Sequence, residues 1–97
     1  MTDRLEFAQA LGREAGAMAH RGFGRSAATL KGRHDILTAM DAEVERFIRR
    51  SIAERFPGDA VIGEEEGGAD GERLWIIDPI DGTANYARGI PHYCVSI

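Results

Sequence analysis

The ten residues Leu74-Trp75-Ile76-Ile77-Asp78-Pro79-Ile80-Asp81-Gly82-Thr83 constrain this chain more than any other segment. Residues 74–77 are apolar without alternation, which predicts a strand buried on both faces. Pro79 has no N–H and a fixed φ, so the strand is expected to end near Asp78. Two carboxylates and a Gly-Thr pair then follow at once.

The rest of the chain supplies the other elements. Leu5, Ala8, Leu11, Ala15 and Met18 recur at three- and four-residue spacing and predict a helix over residues 3–20, stopped by Gly22 and Gly24. A short extended piece is expected at Ala28–Lys31. A longer helix is expected over residues 38–56. Met40, Val44, Phe47, Ile48, Ile52 and Phe56 line one face, and Glu43, Glu45, Arg46, Arg49, Arg50 and Glu54 the other. Thr38 is placed to cap it, with Asp41 completing a capping-box pattern, and Pro57-Gly58-Asp59 ends it. Residues 60–63 read as a strand, 64–73 as an acidic, glycine-rich turn or loop, and 78–91 as a loop with one helical turn. Residues 92–97 read as a last strand. If residues 60–63 and 74–77 paired as a hairpin, their offset would decide whether Glu64 reaches the chain around Asp78. The order helix, helix, strand, strand, loop, strand implies a mixed α/β (α+β) class. The chain stops on an apolar strand residue, Ile97, so residues 1–97 are expected to be the N-terminal portion of a single longer domain.

Composition narrows the partners. A formal net charge of −4 offers no basic footprint for nucleic acid. No apolar run approaches the ~20 residues of a membrane span, and the N-terminus lacks a basic-then-apolar signal pattern. Cys94 is the single cysteine, so no disulfide forms within the chain, and a reduced, cytoplasmic setting is expected. In the apolar run HYCVSI, Cys94 is expected to be a small buried hydrophobe.

Asp78 and Asp81 lie three residues apart around a proline and can face one point, where the carbonyl of Ile80 can join them. Such an all-oxygen set suits a hard cation such as Mg²⁺. No His or Cys cluster offers a softer site, which argues against zinc. A calcium loop of the EF-hand type is excluded, because Ile80 stands where that loop needs Asp or Asn. Gly82 and Thr83 expose backbone amides at a helical first turn, where phosphate oxygens bind well. Competing structural readings stand beside these: Asp and Pro are common turn residues, Glu64–Glu66 suit a solvated turn, and Thr38 with Asp41 suits a helix cap.

Three segments carry a family resemblance. The stretch from Trp75 to Tyr86, WIIDPIDGTANY, resembles the W-x-x-D-P-x-D-G-T-x-N-[FY] signature of the inositol monophosphatase family. Gly63-Glu64-Glu65 resembles its upstream acidic motif, and DILTAMD at 35–41 its D-x-[VL]-T-x-x-D segment. They occur in the family's order, and GIPHYCVSI resembles the segment that follows the signature.

The resemblance implies a layered αβαβα architecture, Mg²⁺-dependent and lithium-sensitive phosphomonoesterase activity, and a homodimer. It implies that Glu64, Asp78, Asp81 and the carbonyl of Ile80 hold metal, and that Gly82 and Thr83 give amides to the phosphate. It further implies that Thr83 with Asp41 orients and helps deprotonate the attacking water, and that Glu65 lies just outside the metal. Lys31 matches a lysine near the site, although its spacing to Asp35 is one residue short. The family places a further metal-binding aspartate and most substrate contacts beyond the point where this chain stops, so the 97 residues alone are expected to be inactive.

The residues and the resemblance agree on direct hydrolysis, and the resemblance implies a small phosphorylated polyol as substrate, with myo-inositol 1-phosphate foremost. Histidinol phosphate, fructose 1,6-bisphosphate and 3′-phosphoadenosine 5′-phosphate are alternatives within the same class. A metal-binding or protein-binding module without turnover is the alternative outside it. Two residues separate Asp78 from Asp81, one more than the Asp-x-Asp nucleophile of another phosphatase class.

Overall fold

The computed structural model describes residues 2–24, 33–64 and 67–97. Two helices, α1 (Thr2–Gly22) and α2 (Arg33–Arg55), precede strands β1 (Ala60–Gly63), β2 (Gly67–Gly68) and β3 (Leu74–Asp81). A short helix α3 (Thr83–Ala87) and strand β4 (Cys94–Ser96) follow. The sheet order is β2-β1-β3-β4. Strands β1 and β3 run parallel, while β2 and β4 are antiparallel to their neighbours. Helices on a mixed sheet make this an α+β fold. Among the described residues no helix is long and apolar enough to cross a membrane.

The helices meet the sheet along the stripes that periodicity marks out. Leu11, Ala15 and Ala19 from α1 and Val44, Ile48 and Ile52 from α2 are buried together with Ile77, Ile80 and Tyr86. Each large aliphatic side chain withdrawn from water there contributes roughly 1.5–3 kcal/mol. Leu5 lies off this face and is 60% exposed; Phe7 packs against the core instead.

Several expectations are corrected. Helix α2 begins at Arg33, so Thr38 and Asp41 lie inside it rather than at its cap. No proline or glycine separates Arg33 from Thr38, so nothing in the sequence delays the helix start. Glu45, placed on the polar face, is 0% exposed. Its charge is tolerated there because Arg49 Nε, one turn on, donates to Glu45 Oε2 at 3.0 Å. Residues 74–77 are not buried on both faces: Ile77 points into the core, while Ile76 is 67% exposed. Among the described residues the helices cover one side of β3, so a run that reads as doubly buried alternates in practice. The extended piece expected at Ala28–Lys31 lies outside the described residues.

The sharpest correction concerns strand pairing. β1 and β3 are not a hairpin. They pair in parallel, Ala60 with Leu74 through Gly63 with Ile77, and β2 returns antiparallel within the connection. Nor does the strand stop at Asp78. It runs on to Asp81, and its pairing with β4 shifts between Asp78↔Ser96 and Asp81↔Cys94. Pro79 falls inside this irregularity, where a missing N–H costs no ladder hydrogen bond.

The starts of both parallel strands are fastened. Asp59, just before β1, accepts from Arg4 Nε at 2.7 Å and Nη2 at 3.0 Å, and from Trp75 Nε1 of β3 at 2.9 Å. The Arg4 guanidinium, more than the indole, holds the Asp59 carboxyl below the usual carboxylate range. Arg4 also lies 4.4 Å over the Phe56 ring, and Phe56, Phe7 and Trp75 pack as an aromatic trio.

Candidate active site

The parallel register decides where the acidic residues fall. Gly63 pairs with Ile77, and each is followed by a carboxylate: Glu64 after β1, Asp78 after the last paired residue of β3. A hairpin would have carried the end of β1 toward the start of β3. Parallel pairing instead puts Glu64 and Asp78 each one residue past the last β1–β3 pair, where β1 ends and β3 runs on beside β4 alone; ligands of open α/β sheets gather near such strand ends.

The bulge places Asp81. In a regular strand, residues three apart face opposite sides. Here Asp78 and Asp81 oppose Ser96 and Cys94, which are two apart on β4 and therefore share a face. The extra β3 residue absorbed between them brings both aspartates to that same side. The odd spacing in the sequence thus becomes a same-face pair through a bulge, not through a turn as expected. Asp81 Oδ2 lies 3.9 Å from Cys94 Sγ, so the aspartate leans toward β4. Cys94 itself is exposed, contrary to expectation. Tyr93 and Val95 pack toward the core, and the alternation turns Cys94 outward.

Asp78 Oδ1 is buried and has no hydrogen-bond partner among the described residues. A buried carboxylate oxygen is normally satisfied, and a hard cation would satisfy this one. Glu64 is exposed at the neighbouring strand end. Among the described residues, however, no three His, Cys, Asp or Glu side chains are already drawn together as a metal cluster. The donor set is chemically right for Mg²⁺, with Glu64 and Asp78 adjacent and Asp81 inclined to β4. Glu65 and Lys31 lie outside the described residues.

Beyond Asp81 the chain turns sharply. Gly82 has φ +93°, a conformation that favours glycine. A Cβ there would stand 3.0 Å from the His92 carbonyl oxygen. Gly82 C=O accepts from Tyr86 N–H at 3.0 Å, which makes it the first acceptor of α3. Thr83 Oγ1 donates to the Ile80 carbonyl at 2.9 Å. That bond leaves the carbonyl a second lone pair, and it fixes Thr83 against the residue expected to supply a backbone ligand. A cavity of about 390 Å³ opens beside this corner, lined by Asp81, Gly82, Asn85, His92, Tyr93 and Cys94 among others. Asn85 Nδ2 donates to the His92 carbonyl at 2.9 Å, and the Asn85 backbone C=O accepts from Ile90 N–H, so one residue shapes the cavity's rim with its side chain and its backbone.

Asp41 approaches from the helical side. It is 6% exposed, on α2, and its charge is near enough to Tyr86 to add to the rise in that phenol's pKa. The structure ties Thr83 to Ile80. Tyr86, read in the sequence only as part of a motif, is a structural tie. Its hydroxyl donates to the Ala19 carbonyl of α1 at 2.8 Å, and its ring meets Phe23 and Tyr93 edge-on. Residue spacing gave no sign of that link, because it spans 67 positions.

Comparison with known proteins agrees with this geometry. The sequence model of the inositol monophosphatase family matches residues 1–97. A protein of Thermotoga maritima named fructose-1,6-bisphosphatase/inositol-1-monophosphatase is 40% identical over 97 residues, covering 98% of this chain and 38% of its own. The solved IMPase of Thermotoga maritima superposes with a TM-score of 0.81 at 38% identity, covering 96% of this chain and 37% of that one. The staphylococcal SaIMPase-II with inositol monophosphate bound gives a TM-score of 0.74 at 31% identity, covering 97% and 34%. The chain therefore spans little more than a third of each relative's length. On its sequence and its fold alike, this chain belongs to the inositol monophosphatase family.

Proposed function

We propose that the whole protein is a Mg²⁺-dependent phosphomonoesterase that hydrolyses a small phosphorylated polyol, foremost myo-inositol 1-phosphate. The observation that carries this reading is the parallel β1–β3 register, which sets Glu64 beside Asp78, where Asp78 Oδ1 is buried without a partner among the described residues. Glu64, Asp78, Asp81 and the Ile80 carbonyl would hold the cation. When bound it supplies positive charge to the phosphoryl group and acidifies a coordinated water.

The chain's own residues supply the rest. The amides of Gly82 and Thr83 hold phosphate oxygens at the start of α3, where the backbone is bent by a positive φ. Asp41 and Thr83 orient the attacking water, and Asp41 takes its proton. Water oxygen bonds to phosphorus as the bond to the polyol oxygen breaks, and the departing alkoxide takes a proton from solvent, giving phosphate and the free alcohol. The cavity beside Asp81 and Gly82 receives the polyol. A related structure with inositol monophosphate bound supports a ligand of this class. The double name of the Thermotoga relative keeps fructose 1,6-bisphosphate as a second substrate to be assayed.

The test is phosphate release by the whole protein from a panel of monophosphates with and without Mg²⁺, repeated for Glu64→Gln and Asp81→Asn. The wild type is expected to turn over only with the cation, and both variants to lose at least ~100-fold in kcat/KM, about 2.7 kcal/mol of transition-state stabilisation. Wild-type rates from either variant, or no release from any substrate, would overturn the proposal.

A further inference from the structure

The segment that carries Glu64 is held from below by a buried ion pair on α2. β1 ends at Gly63 and β2 begins at Gly67, and these two residues pair as the ends of the junction between the antiparallel strands. Both ends of that junction meet the same turn of α2. A Cβ placed on Gly63 would fall 2.6 Å from the Glu45 carboxyl carbon and 2.6–2.7 Å from its oxygens, so the Glu45 carboxylate lies directly against the Gly63 backbone. Arg49, four residues on, donates from Nε to Glu45 Oε2 at 3.0 Å and from Nη2 to the Gly67 carbonyl. One guanidinium thus ties Glu45, at the near end of the junction, to Gly67 at the far end.

The chemistry of the pair is unusual for an ordinary i,i+4 contact. Glu45 has no solvent exposure, and its partner's side chain is 23% exposed. Burying a carboxylate is costly unless it is paired and hydrogen-bonded, and a core position facing a glycine would be filled more cheaply by an apolar residue. The planar fork of arginine donates in two directions at once with fixed geometry, which a lysine cannot reproduce. Outer groups that orient a metal's carboxylates tune affinity without touching the ion.

We infer that Glu45 and Arg49 are positioning residues for Glu64: the pair clamps both ends of the β1–β2 junction, Gly63 and Gly67, and sets Glu64 beside Asp78 to receive the cation. This rests on the proposed role of Glu64 as a metal ligand, and the experiment separates the two. The whole protein, stripped of metal, is titrated with Mn²⁺ followed by electron paramagnetic resonance, at a temperature well below its melting point. The wild type is compared with Glu64→Gln, Glu45→Gln and Arg49→Lys. Glu45→Gln keeps the shape and removes the charge; Arg49→Lys keeps the charge and removes the fork, so Glu45 is not left without a cation nearby.

Glu64→Gln is expected to weaken Mn²⁺ binding more than ~10-fold, and Glu45→Gln and Arg49→Lys each by roughly 10-fold, the low end for such outer groups. In turnover, the Mg²⁺ concentration for half activation should rise in both α2 variants, while KM for the phosphate ester holds. A residue that only stabilises the fold would lower the melting temperature and leave the affinity of the folded protein unchanged. Affinities within about twofold of wild type for whichever of the two α2 variants folds, with Glu64→Gln impaired, would overturn the clamp and leave the site intact. Wild-type affinity in Glu64→Gln would overturn the metal-ligand reading and the clamp together.

Discussion

Removing the Tyr86 hydroxyl should cost the protein a measurable fraction of its stability, and the size follows from the end of α1. The last four carbonyls of a helix lack intrahelical donors, and Ala19 is one of these. The Phe23 N–H, four residues on, turns to the His20 carbonyl at 3.0 Å. Tyr86 Oη serves Ala19 instead, at 2.8 Å, from a side chain with no solvent exposure. In Tyr86→Phe the ring stays packed against Phe23 and Tyr93 while a buried carbonyl loses that donor, a loss of roughly 1–3 kcal/mol. At 2–4 °C per kcal/mol for a protein of 150–250 residues, the midpoint is a fall of roughly 4–8 °C in melting temperature.

The same substitution has a second signature in alkali. Burial pushes the Tyr86 phenol from its ordinary value of 10.0 up to about 12. A group whose folded pKa is raised contributes stability that is complete below the unfolded value and lost as pH climbs toward the folded one. Wild-type stability should therefore decline between about pH 10 and 12 more steeply than that of Tyr86→Phe. Thermal melts followed by circular dichroism, at pH 7 and through the alkaline range, read both effects. A variant melting within about 1 °C of wild type at pH 7 would refute the assignment of Tyr86 as the donor that terminates α1.

Other consequences can be measured alongside. Asp59 has a depressed pKa in the fold, so its contribution is present above the unfolded value near 3.8 and fades as pH falls through the folded one; Asp59→Asn should melt below wild type at pH 7, with the gap closing in acid. A constant gap down to strongly acidic pH would show that the Arg4 and Trp75 bonds do not depend on the Asp59 charge. Gly63→Ala drives a Cβ against the buried Glu45 carboxylate. It should cost about 1–3 kcal/mol, as overpacked cores do, and should weaken Mn²⁺ binding as well. Urea melts unchanged from wild type would show that Glu45 swings aside without cost.

The helices were legible because their apolar residues recur with helical period and little else competes. Val44, Ile48 and Ile52 read as core and are core. Strand pairing was not legible, since AVIG and LWII carry no information about direction, and a ten-residue connection suits either arrangement. Glu45 was misplaced because hydropathy assigns a glutamate to water; the arginine one turn on, at 49, and the glycine at position 63, brought near by folding, help to make its burial possible. Cys94 was misplaced for the opposite reason, an apolar neighbourhood in sequence that alternates in space. The candidate site residues Glu64, Asp78 and Asp81 were visible as types, but the side-by-side placement of Glu64 and Asp78 depends on a parallel register, and that of Asp78 and Asp81 on a bulge.

The Asp59 clamp has a bearing on how variants of this protein are interpreted. It grips β1 and β3 where they start, and the carboxylates stand where their pairing ends, four residues and roughly 13 Å further along at ~3.3 Å per residue. The two strands act as a ruler with its zero mark at one end and its working edge at the other. A change at Arg4 or Trp75 that loosens the zero mark is expected to shift Glu64 relative to Asp78 without touching either. On the metal-binding role proposed for those carboxylates, such a variant would present in an enzyme assay as a metal-site defect, and a genetic screen would map it to the wrong end of the sheet.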